Sequence, residues 1–234
     1  KEERTRRYIK DFSIKLSLFS KEIFEKLIRL GFPTALQLFF EVTAFAGAAF
    51  ICGLISAKDI ASHQIALSMA SFTFNLCVGF SVASTVMIGR KLGEKDFVNL
   101  EKVGFNNLKI AFLFMLMCGI FFILGRNILP TFFTKKEDIE VINLASKLMI
   151  IAALFQLSDG IQVTALGCLR GIQDVKIPSI LTFIAYWVIT IPLGYYLCFV
   201  LKMGAFGMWI ALGIGLTISA ILLVLRFKEL SDRK

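Results

Sequence analysis

The chain reads as an all-α, polytopic membrane protein, and three observations carry that reading. Hydrophobic residues make up 57% of the 234 and charged residues only 18%, which is more apolar surface than one soluble core can bury. The apolar residues are gathered in runs of about twenty, the length that crosses roughly 30 Å of hydrocarbon as a helix. Strands of a membrane barrel would instead read as runs of about ten alternating residues.

Residues 1–30 are different material from the rest. Basic residues alternate with Phe12, Ile14, Leu16, Leu18 and Phe19, and then Ile23, Leu27 and Leu30 recur at helical spacing among Lys21, Glu25, Lys26 and Arg29. This predicts an amphipathic linker lying on the cytoplasmic interface before Gly31 and Pro33 open the first span. For residues 1–20 an interfacial helix and a soluble tether fit the pattern equally well. Residues 31–226 form the transmembrane unit, with spans expected at Phe32 to Ile55, Ala61 to Ile88, Gly104 to Leu129, Ile139 to Leu169, Ile177 to Leu201 and Gly204 to Leu225. Residues 227–234 remain as a tail. The chain opens on Lys1 rather than Met, which suggests a piece of a longer protein.

Six crossings place both termini on one side, and the formal charge of +9 says which. Nineteen Lys and Arg fall in the termini and in the second and fourth connections, whereas Lys58, Arg126, Lys135, Lys136, Lys147 and Lys202 are the six on the opposite side. Positive residues stay cytoplasmic, so both termini are expected inside. The basic balance thus reports topology and contact with anionic membrane lipids rather than nucleic acid.

The five cysteines have no metal-ligand spacing and read as small residues packed in the membrane. No Gly-x-x-x-x-Gly-Lys-Ser/Thr occurs, so energy must come from elsewhere than a P-loop, such as an ion gradient. The single histidine, His63, has no second ligand at helical spacing and is expected to be a capping or hydrogen-bonded structural residue.

Two acids stand out. Glu41 and Asp159 lie alone inside long apolar stretches, while the other fifteen acidic residues fall in connections or in the basic amino-terminal segment. An ionised side chain in hydrocarbon costs several kcal/mol, so it is kept where it faces a polar interior and binds something. At 1.5 Å per residue the two acids lie about 18 and 16 Å beyond the anchors Arg29 and Arg170, near the midplane where transporter sites are built. Polar residues line up with them. Thr34, Gln37 and Glu41 share a face that continues as Ala44 and Ala48; Gln64, Ser68, Ser71 and Asn75 form a second stripe; Gln156, Asp159 and Gln162 a third; and Thr182, Tyr186 and Thr190 a fourth. Such stripes can converge on one hydrated cavity, or they can merely join helices by hydrogen bonds.

Gly31, Phe32 and Pro33 with Glu41 eight residues on, Ser62, His63, Gln64, Ile65 and Ala66, then Gly89 and Gly93, form an ordered series of motifs. The series continues through Ser158, Asp159 and Gly160, Gly167, Leu169, Arg170, Gly171 and Asp174, then Tyr186, Trp187, Pro192 and Gly194, and ends on Gly207, Met208 and Trp209. It resembles the carboxyl-terminal half of multidrug and toxic compound extrusion (MATE) transporters of the bacterial NorM type, over essentially the whole chain. The resemblance implies one six-helix lobe of a twelve-helix, pseudo-twofold transporter in the bacterial inner membrane, with residues 1–30 leading from a missing amino-terminal lobe. It implies no enzyme, no cofactor beyond a coupling ion, and exchange of organic cations for Na+ or H+, with Glu41 and Asp159 matching acids assigned to cation binding. Where some relatives carry Tyr one turn before the second acid, this chain has Phe155.

The chemistry of the residues agrees with that implication. Burial and a neighbouring carboxylate each disfavour ionisation, so two acids in one dry cavity hold a proton or a metal cation tightly. Sodium would need further oxygens, from Gln37, Ser71, Asn75 or backbone carbonyls. Phe39, Phe45, Phe155, Tyr186 and Trp187 could offer faces to an organic cation. The cavity lining expected is therefore Gln37, Ser71, Asn75, Phe155, Gln156, Gln162 and Tyr186 around the acid pair. Alternatives are a flippase for lipid-linked precursors, which would want cationic groups instead, and a half-size transporter working as a homodimer. An intramembrane aspartyl protease would need two aspartates of shared chemistry, and a pure scaffold would tolerate loss of both acids.

Overall fold

The computed structural model describes residues 20–135 and 137–232. Six long helices follow one another: α1 Lys21–Ile55, α2 Ala57–Gly93, α3 Phe97–Gly125, α4 Ile139–Gly171, α5 Lys176–Val200 and α6 Gly204–Asp232. All six are long and apolar enough to cross a membrane. The predicted class and number of spans hold, and the helices mostly outrun the hydrocarbon estimates at their ends.

The connections are short because the sequence caps each helix sharply. Ser56 alone separates α1 from α2. Its extended backbone ends one helix while its Oγ accepts the Asp59 N–H at 3.0 Å and caps the next. Asp59 then reaches across the bundle, its Oδ1 accepting the Ala205 N–H at 2.7 Å at the start of α6. That approach explains Gly204, whose φ is +60° and whose missing side chain leaves room for the Asp59 carboxylate. Asp96 caps α3 through Asn99, and hydrogen bonds from Asn99 and then Lys91 hold its carboxyl below the ordinary aspartate range. Arg226 of α6 pairs with Asp174 in the α4–α5 connection at 2.8 Å.

α4 is the central helix. Hydroxyls of α2 are laid along it: Ser62 Oγ donates to Val141 O (3.1 Å), Thr73 Oγ1 to Gln156 Oε1 (2.6 Å), Ser81 Oγ to Val163 O (2.6 Å) and Thr85 Oγ1 to Gly167 O (2.9 Å). A Cβ at Gly167 would run into the backbone of Ser81, so the two helices touch along their main chains there. On its other flank α4 meets α6 through Gln162 and Ser219 at 3.3 Å and through Ser158 and Thr217 at 2.8 Å. Buried Leu166, Leu169, Ile88, Leu100, Leu223 and Phe227 fill the half of the bundle where α1 begins, hereafter the terminal side. Trp209, Phe155, Met149 and Ala48 belong to the core of the opposite half.

α5 is not a regular α-helix. It winds as π-helix over Ile184–Thr190 and Tyr196–Val200, on either side of an α-helical turn that contains Pro192. Proline has no N–H to donate; the Ile191 N–H reaches back five residues to Tyr186 O, and Thr190 Oγ1 donates to Ala185 O at 2.8 Å.

Two expectations about the ends need correction. α1 is continuous from Lys21 through Gly31 and Pro33, so the residues just before the span are part of its helix rather than a separate segment. Ile23, Leu27 and Ile28 are exposed there, as an interfacial helix requires; residues 1–19 of the expected linker lie outside the described residues. At the other end, Phe227 is fully buried and α6 runs on to Asp232, so the tail begins as a packed helix. His63 also differs from expectation. It is wholly buried beside Trp209, ring centroids 5.9 Å apart, and neither of its nitrogens has a hydrogen-bond partner among the described residues. All five cysteines are free.

Candidate functional site

On α1, Gln37, Glu41, Ala44 and Ala48 recur at spacings of four, three and four, and all four are buried. On α4, Asp159 is buried in the stretch that contains Phe155, Gln156 and Gln162. The two faces meet across a cavity of about 340 Å³ whose wall includes both carboxylates, Phe45, Phe155, Gln64 and Ser71, the rest of the lining being apolar. No Lys, Arg or His lines it. The rings of Phe45 and Phe155 stand edge to face, centroids 6.1 Å apart.

The two acids are held differently. Glu41 Oε2 accepts a hydrogen bond from Gln37 Nε2 at 3.3 Å, and Gln37 Oε1 in turn accepts one from Arg170 Nη2 at 3.2 Å. Asp159, only 4% exposed, has no hydrogen-bond partner among the described residues. Glu41 lines the same cavity. A buried carboxylate with so little compensation is costly to keep ionised.

The structure does not bring every expected residue to this cavity. Ser71 and Phe155 line it, and Gln37 reaches it through Glu41. Asn75 is exposed and donates to Ser71 O at 2.8 Å on its own helix. Gln156 is fully buried and taken up by Thr73. Gln162 accepts from Tyr186 Oη at 3.4 Å and donates to Ser219, so both lie in the packed core. Among the aromatics, Phe39 is exposed on the outside of α1 and Trp187 donates to Phe40 O at 3.1 Å. The Gln37 oxygen already accepts one hydrogen bond, from Arg170.

In the sequence Arg170 stands out as a cytoplasmic anchor and a member of the motif series, and Asp59 only as a connection acid. A signal for Arg170 was available: eleven residues after Asp159 is about three helical turns, which returns it to the same face of α4. The Ser56-x-x-Asp59 spacing marks Asp59 as part of a helix start, but its second partner, Ala205, is distant in sequence.

Comparison with known proteins is decisive at this point. Residues 33–196 match the MatE family model. The chain belongs to the MatE family. Relatives of this family include the multidrug resistance protein MdtK of Yersinia pseudotuberculosis, 38% identical over 216 residues that cover 91% of this chain and 47% of that protein. A second is the probable multidrug resistance protein NorM of Agrobacterium fabrum, 39% identical over 89% of this chain and 46% of its own length. The chain therefore spans about half the length of the curated relatives it matches. Among solved structures, the eukaryotic MATE transporter AtDTX14 superposes with a TM-score of 0.84 at 21% identity, covering 94% of this chain and 50% of that one. The MatE fold and the six-helix lobe agree with the expected architecture.

Proposed function

We propose that the chain is the cation-binding lobe of a secondary active multidrug antiporter of the inner membrane, with both ends of the lobe in the cytoplasm. It exports organic cations in exchange for Na+ or H+ taken up by Glu41 and Asp159. The observation that carries this reading is the placement of both carboxylates in one apolar cavity, Asp159 without a hydrogen-bond partner. The names of the MdtK and NorM relatives support multidrug efflux, and an anionic lining weighs against a site for the pyrophosphate of a lipid-linked precursor.

A coupling ion would bind the acid pair through their oxygens, with Ser71 Oγ and backbone carbonyls as further donors. An organic cation would meet the same charge between the rings of Phe45 and Phe155. Both cannot occupy the site at full strength, and that competition is what exchange requires. The test is Glu41→Gln and Asp159→Asn in the complete transporter, joined to its first lobe. Each amide keeps the side chain's size and removes its charge, so dye efflux falls below a tenth of the parent's with membrane levels unchanged. Normal efflux by either variant would remove that residue from coupling. Cysteines at Lys95 and Lys135 should label from opposite faces, the first from the cytoplasm. The isolated chain has no second lobe to rock against, so in liposomes it binds cations without gradient-driven efflux. Efflux by this chain alone would make the homodimer the better reading.

A further inference from the structure

The cavity lies to one side of Glu41. Apart from Leu38, its α1 wall runs from Glu41 on to Ala49, and its α2 wall lies between Gln64 and Phe74, both toward the side where α2 begins. Gln37 and Arg170 lie on the other, terminal side. Together they form a floor between the acid pair and that end of the bundle. Gln37 is 3% exposed, and Arg170 is half-buried with its Nε enclosed and unpartnered.

The hydrogen bonds fix the sense of this floor. A guanidinium has donors only, so the amide of Gln37 must turn its oxygen to Arg170 and its NH2 to Glu41. The charge of Arg170 is thus passed, through one polarised amide, to the carboxylate. This arrangement partly satisfies Glu41 with no cation bound. It also ties α4 to α1 on the terminal side of the acids.

We infer that Arg170 is a positioning residue that serves as the internal counter-cation of the acid pair and, through Gln37, as the latch closing the terminal side of the site. The inference rests on the cation-site reading above. A cation arriving at Glu41 replaces the compensation that Arg170 supplies, so the Arg170–Gln37–Glu41 chain loosens and α1 is freed from α4. When the cation leaves, the chain re-forms. Occupancy and closure are two states of one linkage, and by reciprocity a broken latch must bind the cation more tightly.

The experiment uses the complete transporter, purified in detergent and also reconstituted in liposomes, with sodium and tetraphenylphosphonium as the probes. Arg170→Met removes the internal cation at similar bulk. Sodium affinity should rise about tenfold, within the usual range of coupling energies, while gradient-driven efflux falls by a similar factor because the ion is released slowly and the floor stays open. Gln37→Leu breaks the same chain from the other helix and should raise sodium affinity in the same direction, which keeps the test available if Arg170→Met does not fold. Arg170→Lys restores the charge and should return affinity most of the way to the parent value. A purely structural arginine would instead lower thermal stability and leave sodium affinity unchanged, and that result, or weaker binding in Gln37→Leu, overturns the inference. Glu41→Gln separates the two levels. Loss of sodium binding there with unchanged affinity in Arg170→Met removes only the latch, whereas unchanged binding in Glu41→Gln removes the cation site and the latch with it.

Discussion

The seam between α2 and α4 and the seating of α1 are built on opposite principles. Along the first, four hydroxyls reach across to α4 and the backbones touch at Gly167. Among the described residues α1 makes two side-chain hydrogen bonds to other helices along its length, Trp187 Nε1 to Phe40 O and Arg170 Nη2 to Gln37 Oε1, and is otherwise seated by ring contacts of Phe40 with Phe183 and of Phe45 with Phe155 and Tyr186, and by small residues such as Ala44 and Ala48. A Cβ at Gly47 would meet only Ile191 Cδ1 at 3.4 Å, an ordinary contact. One acid of the pair is therefore mounted on a helix fixed by main-chain contact and the other on a helix seated mostly by side-chain packing. A site made this way can change its geometry without unfolding anything.

The sharpest way to break the contrast is a methyl group on each side of it. Gly167→Ala should destabilise the lobe by about 3 kcal/mol, since the backbone itself must move. Gly47→Ala should leave stability unchanged or raise it by up to about 1 kcal/mol, because alanine is the better helix former. Thermal unfolding in detergent measures both, and equal losses would erase the distinction. Next in size is Asp59→Ala, which leaves the Ala205 N–H without its charged acceptor and should cost about 2 kcal/mol, read as a lower unfolding midpoint. Smallest is Trp187→Phe, which deletes one bond to α1. It should cost under about 1 kcal/mol yet raise hydrogen exchange around Phe40 while exchange in α2 and α4 stays as it was. A rise in all three helices would mean that α1 is no looser than the rest.

Much of this was legible in the residues. Span number follows from apolar run length alone, and the two acids declared themselves by isolation, since nothing else explains a carboxylate among Phe39, Phe40 and Val42. The polar stripes were read less well, for a physical reason. Helical period says that Gln156 and Asp159 share a face, but a face is broad enough for one to be satisfied by Thr73 while the other enters a cavity. Which of the two happens depends on the neighbouring helix, and that information lies about eighty residues away. A greater separation, 146 residues, hid the Ala205 partner of Asp59. The continuation of α1 before Pro33 and of α6 past Leu225 escaped because hydropathy measures the hydrocarbon and not the helix.

The hydroxyl bonds between α2 and α4 have one more property. The partners Ser62 and Val141, Thr73 and Gln156, Ser81 and Val163, and Thr85 and Gly167 are separated by 79, 83, 82 and 82 residues. A nearly constant offset means that two helices run in the same direction, in step, from one membrane face to the other. The pair is a ruler: the depth of a residue on α4 is read by subtracting about 82, which sets Asp159 level with Cys77. A slip of one residue would break every rung together. The depth of Asp159 is thus locked to α2, and any axial motion at the site belongs to Glu41.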